Sequence, residues 1–298
     1  MAGLALCEPG HLYNILQQHR RVPRLAEPGY LCLLGEPGAG GLLPDPACSR
    51  APAPAWAASR GNGMLVPSVS TTRAILLQHA GLNSFLISLD AEEGTAVQYA
   101  RSFEQFTRHP VLVLRGGYKR FSACYHFLRT QKILWMPQEL DNFQPYPVEI
   151  LPAKLYMGNF KQACDQQIQK DLKIKAQVNI SEQPTTLFAE GGKYLHISVP
   201  DSLEADLFST FGTICHFIDA QLDRGAVLVF SSLGISRSST VTMAYLMHSC
   251  QFSLKRAWNY VLKCKTNMRP HRGFVKQLSD WETQIYGTTI TDVSEPNY

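Results

Sequence analysis

The chain contains 298 residues, of which 45% are hydrophobic and 17% are charged, and its formal net charge is +4. A chain of this length accommodates two ordinary domains, and its composition is that of a globular protein rather than a disordered one. The charge is compatible with an anionic partner but is too small to predict nucleic-acid binding, and no apolar run is long enough for a membrane span.

Eight cysteines are scattered along the chain, without a C-x-x-C pair and without histidines at metal-ligand spacing. This pattern argues against a disulfide framework and against zinc, and it favours a reducing, cytoplasmic compartment. We therefore expect neither a metal ion nor a cofactor. Residues 10–25 include Arg20, Arg21 and Arg24 but no acidic residue, so a mitochondrial location is the alternative.

The N-terminal part begins with a helical pattern around Leu12, Ile15 and Leu16, and a strand is predicted at 30–34. Segment 36–63 is rich in alanine, proline and glycine and shows no apolar periodicity. Such a segment cannot bury enough surface to offset the entropy lost on ordering, so we predict a loop or disorder there.

Regular patterns return after this segment. Residues 95–106 have a helical pattern, 109–114 form a short apolar run typical of a buried strand, and 115–118 are predicted to turn. The proline-containing stretch 137–147 is the predicted linker between domains.

From Val148 onward, predicted strands alternate with predicted helices, which indicates an α/β sheet with helices packed on it. The tail after Gly287 is expected to be loose. The predicted strands are 154–158, 176–180, 195–199 and 226–230. The first predicted helix has an apolar stripe from Leu207 to Leu222 and ends at Gly225, and the others are 238–248, 254–262 with Ser253 as its cap, and 274–285.

The most informative segment, 230–238, lies between the apolar strand at 226–230 and the helix that follows it. A loop that leads from a strand into a helix directs backbone N–H groups and the positive end of the helix dipole toward one point, which suits an anion. Arg237 adds a planar fork of donors, although it could instead be a surface cation. The predicted phosphate-binding residues are Ser231, Ser232, Leu233, Gly234, Ile235, Ser236 and Arg237.

These residues resemble the signature His-Cys-x-x-Gly-x-x-Arg-Ser/Thr of the cysteine-dependent phosphatases, with Phe230 and Ser231 in the positions of the histidine and the cysteine. Val199-Pro200-Asp201 resembles the general-acid loop of that family. The resemblance covers about 146–287 and implies a dual-specificity-phosphatase-like mixed sheet flanked by helices. Further matching motifs are Asn179-Ile180-Ser181, Ala244-Tyr245-Leu246-Met247 and Gly273-Phe274-Val275-Lys276-Gln277-Leu278.

The segment 111–118, together with Phe121, resembles the end of a rhodanese-like domain, which the mitogen-activated protein kinase phosphatases carry before the catalytic domain. The chain as a whole resembles the pseudophosphatases of that group. The implied organisation is a rhodanese-like domain at 1–136 that is poorly matched at 36–63, the linker at 137–147, a phosphatase-like domain at 148–287, and a tail at 288–298.

The substitution at Ser231 predicts that no residue of this loop is catalytic. A cysteine works as a nucleophile because its thiolate forms near neutral pH, whereas a serine needs an adjacent base, and Phe230 cannot be one. Asp201 is then a relic of the general acid or an ordinary loop carboxylate, and His271 stands where the family usually has asparagine.

We therefore expect an inactive phosphatase-like protein that binds phosphorylated signalling partners and regulates them by sequestration or scaffolding. Two alternatives remain open at this point. One is a hydrolase that uses Ser231 or another nucleophile, and the other is a scaffold that acts without phosphate.

Overall fold

A computed structural model describes residues 5–18, 30–34, 74–78, 84–88, 111–128, 145–184 and 191–294. Contacts divide the chain into two units, one of 1–13 with 19–144 and the other of 14–18 with 145–298. The predictions for 36–63 and 95–106, and most of the predicted linker, lie outside the described residues.

The first unit contains a five-stranded sheet with the order β1-β5-β4-β3-β2. The pairs β1–β5 and β4–β5 are parallel, and the pairs β2–β3 and β3–β4 are antiparallel. The strands are β1 (Ala5–Cys7), β2 (Tyr30–Leu34), β3 (Ala74–Gln78), β4 (Ser84–Ser88) and β5 (Val111–Leu114). Helix α1 (Pro9–Gln18) is divided between the two units at residue 14, and α2 (Gly117–Cys124) of the first unit is followed by a 3-10 turn at His126–Leu128.

The structure confirms the predicted helical pattern near residue 12 and the strand at 30–34. The predicted strand at 109–114 is present from Val111. The sequence analysis did not predict β3 and β4, two five-residue strands that pair with each other. The rhodanese-like assignment stays a prediction.

The second unit contains a mixed sheet with the order β6-β7-β10-β8-β9, in which β6 alone runs antiparallel to its neighbour. The α/β prediction is confirmed. None of the helices among the described residues is long and apolar enough to cross a membrane. The strands are β6 (Val148–Leu151), β7 (Leu155–Asn159), β8 (Ile174–Asn179), β9 (Lys193–His196) and β10 (Ala226–Ser231), and the helices are α3 (Phe160–Ala163), α4 (Gln166–Asp171), α5 (Phe208–Leu222), α6 (Arg237–Cys250), α7 (Leu254–Cys264) and α8 (Arg272–Tyr286).

The central strand of this sheet is β10, and all six of its residues are buried. Its apolar sequence suits a strand with parallel neighbours on both sides and helices on both faces. Because β7, β10 and β8 are parallel, their carboxyl ends meet at one edge of the sheet. At this edge β10 passes into residues 232–236 and then into α6, as the sequence predicted.

The structure corrects the predicted end of one strand and of one helix, and it confirms one predicted cap. The third predicted strand, 195–199, is wrong in its last three residues, because β9 ends at His196. Ile197 still donates its N–H to the carbonyl of Asn179, and residues 198–200 continue as an irregular segment. Helix α5 ends at Leu222 rather than at Gly225, whose N–H donates to the carbonyl of Gln221. On α7 the predicted cap Ser253 is confirmed, since its side chain accepts from the Arg256 N–H.

The tail after Gly287 is ordered as far as Thr291, so the prediction of a loose tail is wrong for these residues. The fully buried carboxylate of Glu282 accepts hydrogen bonds from the N–H groups of Ile290, Thr291 and Leu254 at 2.7 to 3.0 Å. It also accepts from the Thr291 hydroxyl at 2.9 Å. One carboxylate therefore joins the end of the chain to the start of α7.

We expect Glu282→Ala to lower the free energy of unfolding by about 3 kcal/mol, because several buried donors would lose their acceptor together. Asp280→Ala, an exposed substitution on the same helix, is the control and should change stability by less than about 0.5 kcal/mol. Urea denaturation measures both. Equal stability of the two variants would show that the contacts between Glu282 and the tail contribute nothing to the free energy of unfolding.

Candidate phosphate-binding site

The loop 232–236, called here the cradle loop, lies directly against the backbone of β7. Gly234 has φ of 70°, and a Cβ at this position would lie 2.5 Å from the carbonyl oxygen of Gly158. Phe160 at the end of β7 donates its N–H to the carbonyl of Ser232 at 3.4 Å. Glycine is required because it allows both the positive φ and the close approach of two backbones.

The first turn of α6 faces this loop without a side-chain cap. Ser236 is the N-cap residue, but its side chain makes no capping hydrogen bond, and the first turn contains no acidic residue. Within the described part of the chain, the N–H groups of Leu233, Ile235 and Ser236 donate no hydrogen bond. Unpaired N–H groups at a helix N-terminus are the usual setting for a bound anion.

Arg237 is buried, with 5% of its surface exposed, so it is not a surface cation. Its guanidinium donates to the carbonyl of Val199 at 2.5 Å and to the hydroxyl of Ser232 at 3.1 Å. The Nε atom lies 3.8 Å from a carboxylate oxygen of Asp201 and has no hydrogen-bond partner among the described residues. The guanidinium is thus fixed beside the cradle loop with one donor unused.

Ser236 joins three segments at the side of the cradle loop. Its hydroxyl donates to the Asp201 carboxylate at 2.6 Å and accepts from the backbone N–H of His271 at 3.3 Å. Sequence reasoning assigned Ser236 only as part of the cradle and treated Asp201 as a relic acid or a solvated carboxylate. The structure gives Asp201 a hydroxyl partner and a cationic neighbour, and no local sequence signal indicated this pairing.

Ser231 is buried at the end of β10. Its hydroxyl donates to the hydroxyl of Ser238 at 3.2 Å and accepts from the N–H of Gly234 at 3.2 Å. Phe230 is fully buried and packs edge-on against Phe160, with 6.0 Å between ring centroids. The side chain before the serine therefore belongs to the core and carries no proton-transferring group.

No imidazole among the described residues forms a hydrogen bond with Ser231. The ring of His196 pairs with the carbonyl of Ser181, and the ring of His216 with the carbonyl of Gly212, each at 2.7 Å. His271 comes near the cradle through its backbone, while its buried Nδ1 has no partner in the described region.

The thiols of two cysteines of this unit, the buried Cys215 and the half-buried Cys264, are unsuited to act as nucleophiles. Burial raises the pKa of the Cys215 thiol to about 12, with a further contribution from the charge of Asp219. Burial also raises the pKa of Cys264 to about 12. Because both values lie far above neutral pH, both groups are thiols rather than thiolates under physiological conditions.

Comparison with known proteins identifies the domain that contains this site. Residues 155–284 match the family described as dual specificity phosphatase, catalytic domain. They therefore form a dual-specificity-phosphatase-like domain, which confirms at this level the resemblance expected for about 146–287.

Similar proteins include dual specificity protein phosphatase 5 of Homo sapiens, which is 40% identical over 144 residues, or 48% of this chain and 37% of the relative. The Drosophila melanogaster phosphatase Mpk3 is 37% identical over 147 residues, or 48% of this chain and 36% of the relative. A crystal structure of DUSP15 shares 31% identity with a TM-score of 0.44, covering 46% of this chain and 86% of that one. The chain thus spans little more than a third of the length of the two curated relatives.

The contact of Gly234 with Gly158 predicts a sharp difference between two glycine substitutions. Gly234→Ala should lower the free energy of unfolding by about 2 kcal/mol, because an added Cβ meets backbone and the positive φ becomes strained. Gly212→Ala, in α5 with no atom within 4 Å of the added Cβ, should raise it by about 0.5 kcal/mol. Urea denaturation tests the pair, and a fully stable Gly234→Ala would contradict the described loop.

Proposed function

We propose that the chain is a catalytically inactive phosphatase-like protein that binds phosphorylated signalling proteins and regulates them by sequestration or scaffolding. The observation that carries this proposal is the environment of Ser231, whose hydroxyl pairs with Ser238 and Gly234 and has no base beside it among the described residues. The relatives named as dual specificity protein phosphatases support a phosphorylated protein as the class of partner. The scattered cysteines favour the cytoplasm as the place of action.

The proposed inactivity follows from the difference between a hydroxyl and a thiol. A cysteine thiol has an unperturbed pKa of about 8.5, and a helix N-terminus or nearby donors can lower it below neutral pH. A serine hydroxyl is a far weaker acid, so the same donors leave it protonated. A serine nucleophile needs a general base within hydrogen-bonding distance, and Ser238, itself a hydroxyl, cannot act as one.

The proposed binding follows from the groups that do not depend on sulfur. The N–H groups of the cradle loop and the guanidinium of Arg237 are all hydrogen-bond donors. They lie at the start of α6, where the guanidinium donates to Ser232 of the loop. A charge-assisted hydrogen bond is worth about 1.5 to 3 kcal/mol, so a few such bonds suffice for measurable affinity toward a phosphate dianion.

Replacing Arg237 tests the binding. We expect Arg237→Ala to weaken the binding of a synthetic phosphotyrosine or phosphothreonine peptide by roughly 10- to 100-fold, because the charged donor is lost. Arg237→Lys should recover only part of the affinity, since an ammonium group cannot replace the planar fork. Isothermal titration calorimetry measures the affinities.

The matched control is Arg224→Ala, which removes an exposed arginine of the same domain at the turn after α5. It changes the net charge equally and should leave the affinity within about twofold, because exposed charges at a distance are screened. If Arg237→Ala, shown to be folded, binds as tightly as the parent, the cradle is not the site. A scaffold that acts without phosphate would then be favoured.

Activity measurements test the proposed lack of catalysis. The unaltered protein should not hydrolyse p-nitrophenyl phosphate, whereas Ser231→Cys should gain slow turnover because a thiolate would form beside the same donors. Phe230→His combined with Ser231→Cys should be faster if the buried histidine is tolerated. Ser231→Ala serves as the blank. Turnover by the unaltered protein that disappears in Ser231→Ala would instead establish a serine hydrolase.

A further inference from the structure

One exposed leucine belongs to the cradle loop, and another lies on the segment that is hydrogen-bonded to Ser236 through Asp201. Among the described residues, five large hydrophobic side chains are exposed, and two of them are Leu203, with 60% of its surface exposed, and Leu233, with 73%. Leu233 belongs to the cradle loop itself. Leu203 lies two residues after Asp201, so the Cα atoms of these two residues are at most about 7 Å apart. The carboxylate of Asp201 accepts the hydrogen bond from Ser236. These two leucines are called here the apolar rim.

Close backbone contacts fix both members of the apolar rim. Leu233 precedes Gly234, whose backbone touches that of Gly158. The carbonyl of Leu203 lies so close to Gly273, at the start of α8, that a Cβ on that glycine would overlap it. The two side chains are therefore held at the surface by backbone that cannot move easily, which lowers the entropy cost of placing a ligand against them.

Single exposed leucines are common and need no explanation, whereas apolar side chains grouped around a polar site indicate an interaction surface. Here Leu233 lies in the loop that carries the unpaired donors, and Leu203 lies on the segment whose Asp201 carboxylate accepts a hydrogen bond from Ser236. Asp201 and Glu204, which are exposed on the same segment as Leu203, would disfavour further negative charge next to that anion.

We propose that the apolar rim binds large apolar side chains next to the phosphorylated residue of a partner, so that the protein selects phosphopeptides with apolar rather than acidic or small polar flanks. This inference rests on the proposed function of the cradle and specifies its ligand. Leu233 contacts one flanking side chain and Leu203 the other, while the phosphate lies among the N–H groups of the cradle loop beside Arg237.

The test uses the full chain and matched synthetic peptides, each on a phosphotyrosine and on a phosphothreonine, in which both neighbours are leucine, serine or aspartate. We expect the leucine-flanked peptide to bind about tenfold more tightly than the serine-flanked one, since partial burial of a leucine is worth about 1.4 kcal/mol. Leu203→Ser should reduce this preference several-fold without changing the affinity for the serine-flanked peptide, and Leu233→Ser should reduce the ratio of the two affinities several-fold. Leu262→Ser, an exposed leucine on α7, is the control and should retain the full preference.

Three outcomes would overturn the inference. Equal affinity for the three flanks would show that the rim does not select. Equal weakening of all peptides by the rim variants would indicate that the leucines only support the loop. Concentration-dependent dimerisation that disappears in Leu233→Ser, measured by sedimentation, would assign the rim to a second copy of the chain.

The proposed function fails separately from the inference. If Arg237→Ala binds every phosphopeptide as the parent does, the cradle is not the anion site. If, in addition, unphosphorylated leucine-flanked peptide binds as well as its phosphorylated form, that result also excludes a phosphopeptide as the occupant of the rim. Loss of affinity in Arg237→Ala without any flank preference would overturn the inference alone.

Discussion

The arrangement of the site depends on one backbone contact, that between Gly234 and Gly158. Through this contact the cradle loop packs against β7, the strand beside β10. The contact therefore fixes the path of the backbone from β10 to α6. The N–H groups of residues 233, 235 and 236 take their directions from this curve. The loop could not approach so closely if residue 234 carried a side chain, because its Cβ would meet the carbonyl of Gly158, so Gly234 determines the cradle as much as the arginine does.

Within this arrangement, binding and chemistry depend on different atoms. The donors come from the backbone and from a buried guanidinium held by Val199 and Ser232, and none of them requires a nucleophile. The hydroxyl of Ser231 takes part only in hydrogen bonds with Ser238 and with the N–H of Gly234 in the described structure. A serine rather than a cysteine at this position changes the acidity of that side chain and leaves the surrounding donors in place. The proposed phosphate binding and the proposed lack of catalysis can therefore be tested by separate variants.

Local sequence predicts the strands, helices and caps of this structure better than it predicts the polar contacts between them. The apolar run of β10, the cap Ser253 and the stripe of α8 were predictable because each depends on neighbours within a few residues. The bonds from Ser236 to Asp201 and from Thr291 to Glu282 were not, because the first joins residues distant in sequence and the donor of the second lies in a tail that shows no apolar pattern. Apolar periodicity also could not show that β9 ends at His196 and that the following segment brings the carbonyl of Val199 to Arg237.

Asp201 would limit how strongly the proposed cradle could hold a phosphate. Its carboxylate lies 3.8 Å from the Nε atom of Arg237 and accepts a hydrogen bond from Ser236, so the guanidinium already has a negatively charged neighbour. An incoming dianion would share that guanidinium with the carboxylate, and its net gain would be smaller than the sum of its own hydrogen bonds. Under the proposed function, affinity from the cradle alone would therefore be modest, and contacts outside it, such as those proposed for the apolar rim, would decide which phosphorylated partner is bound.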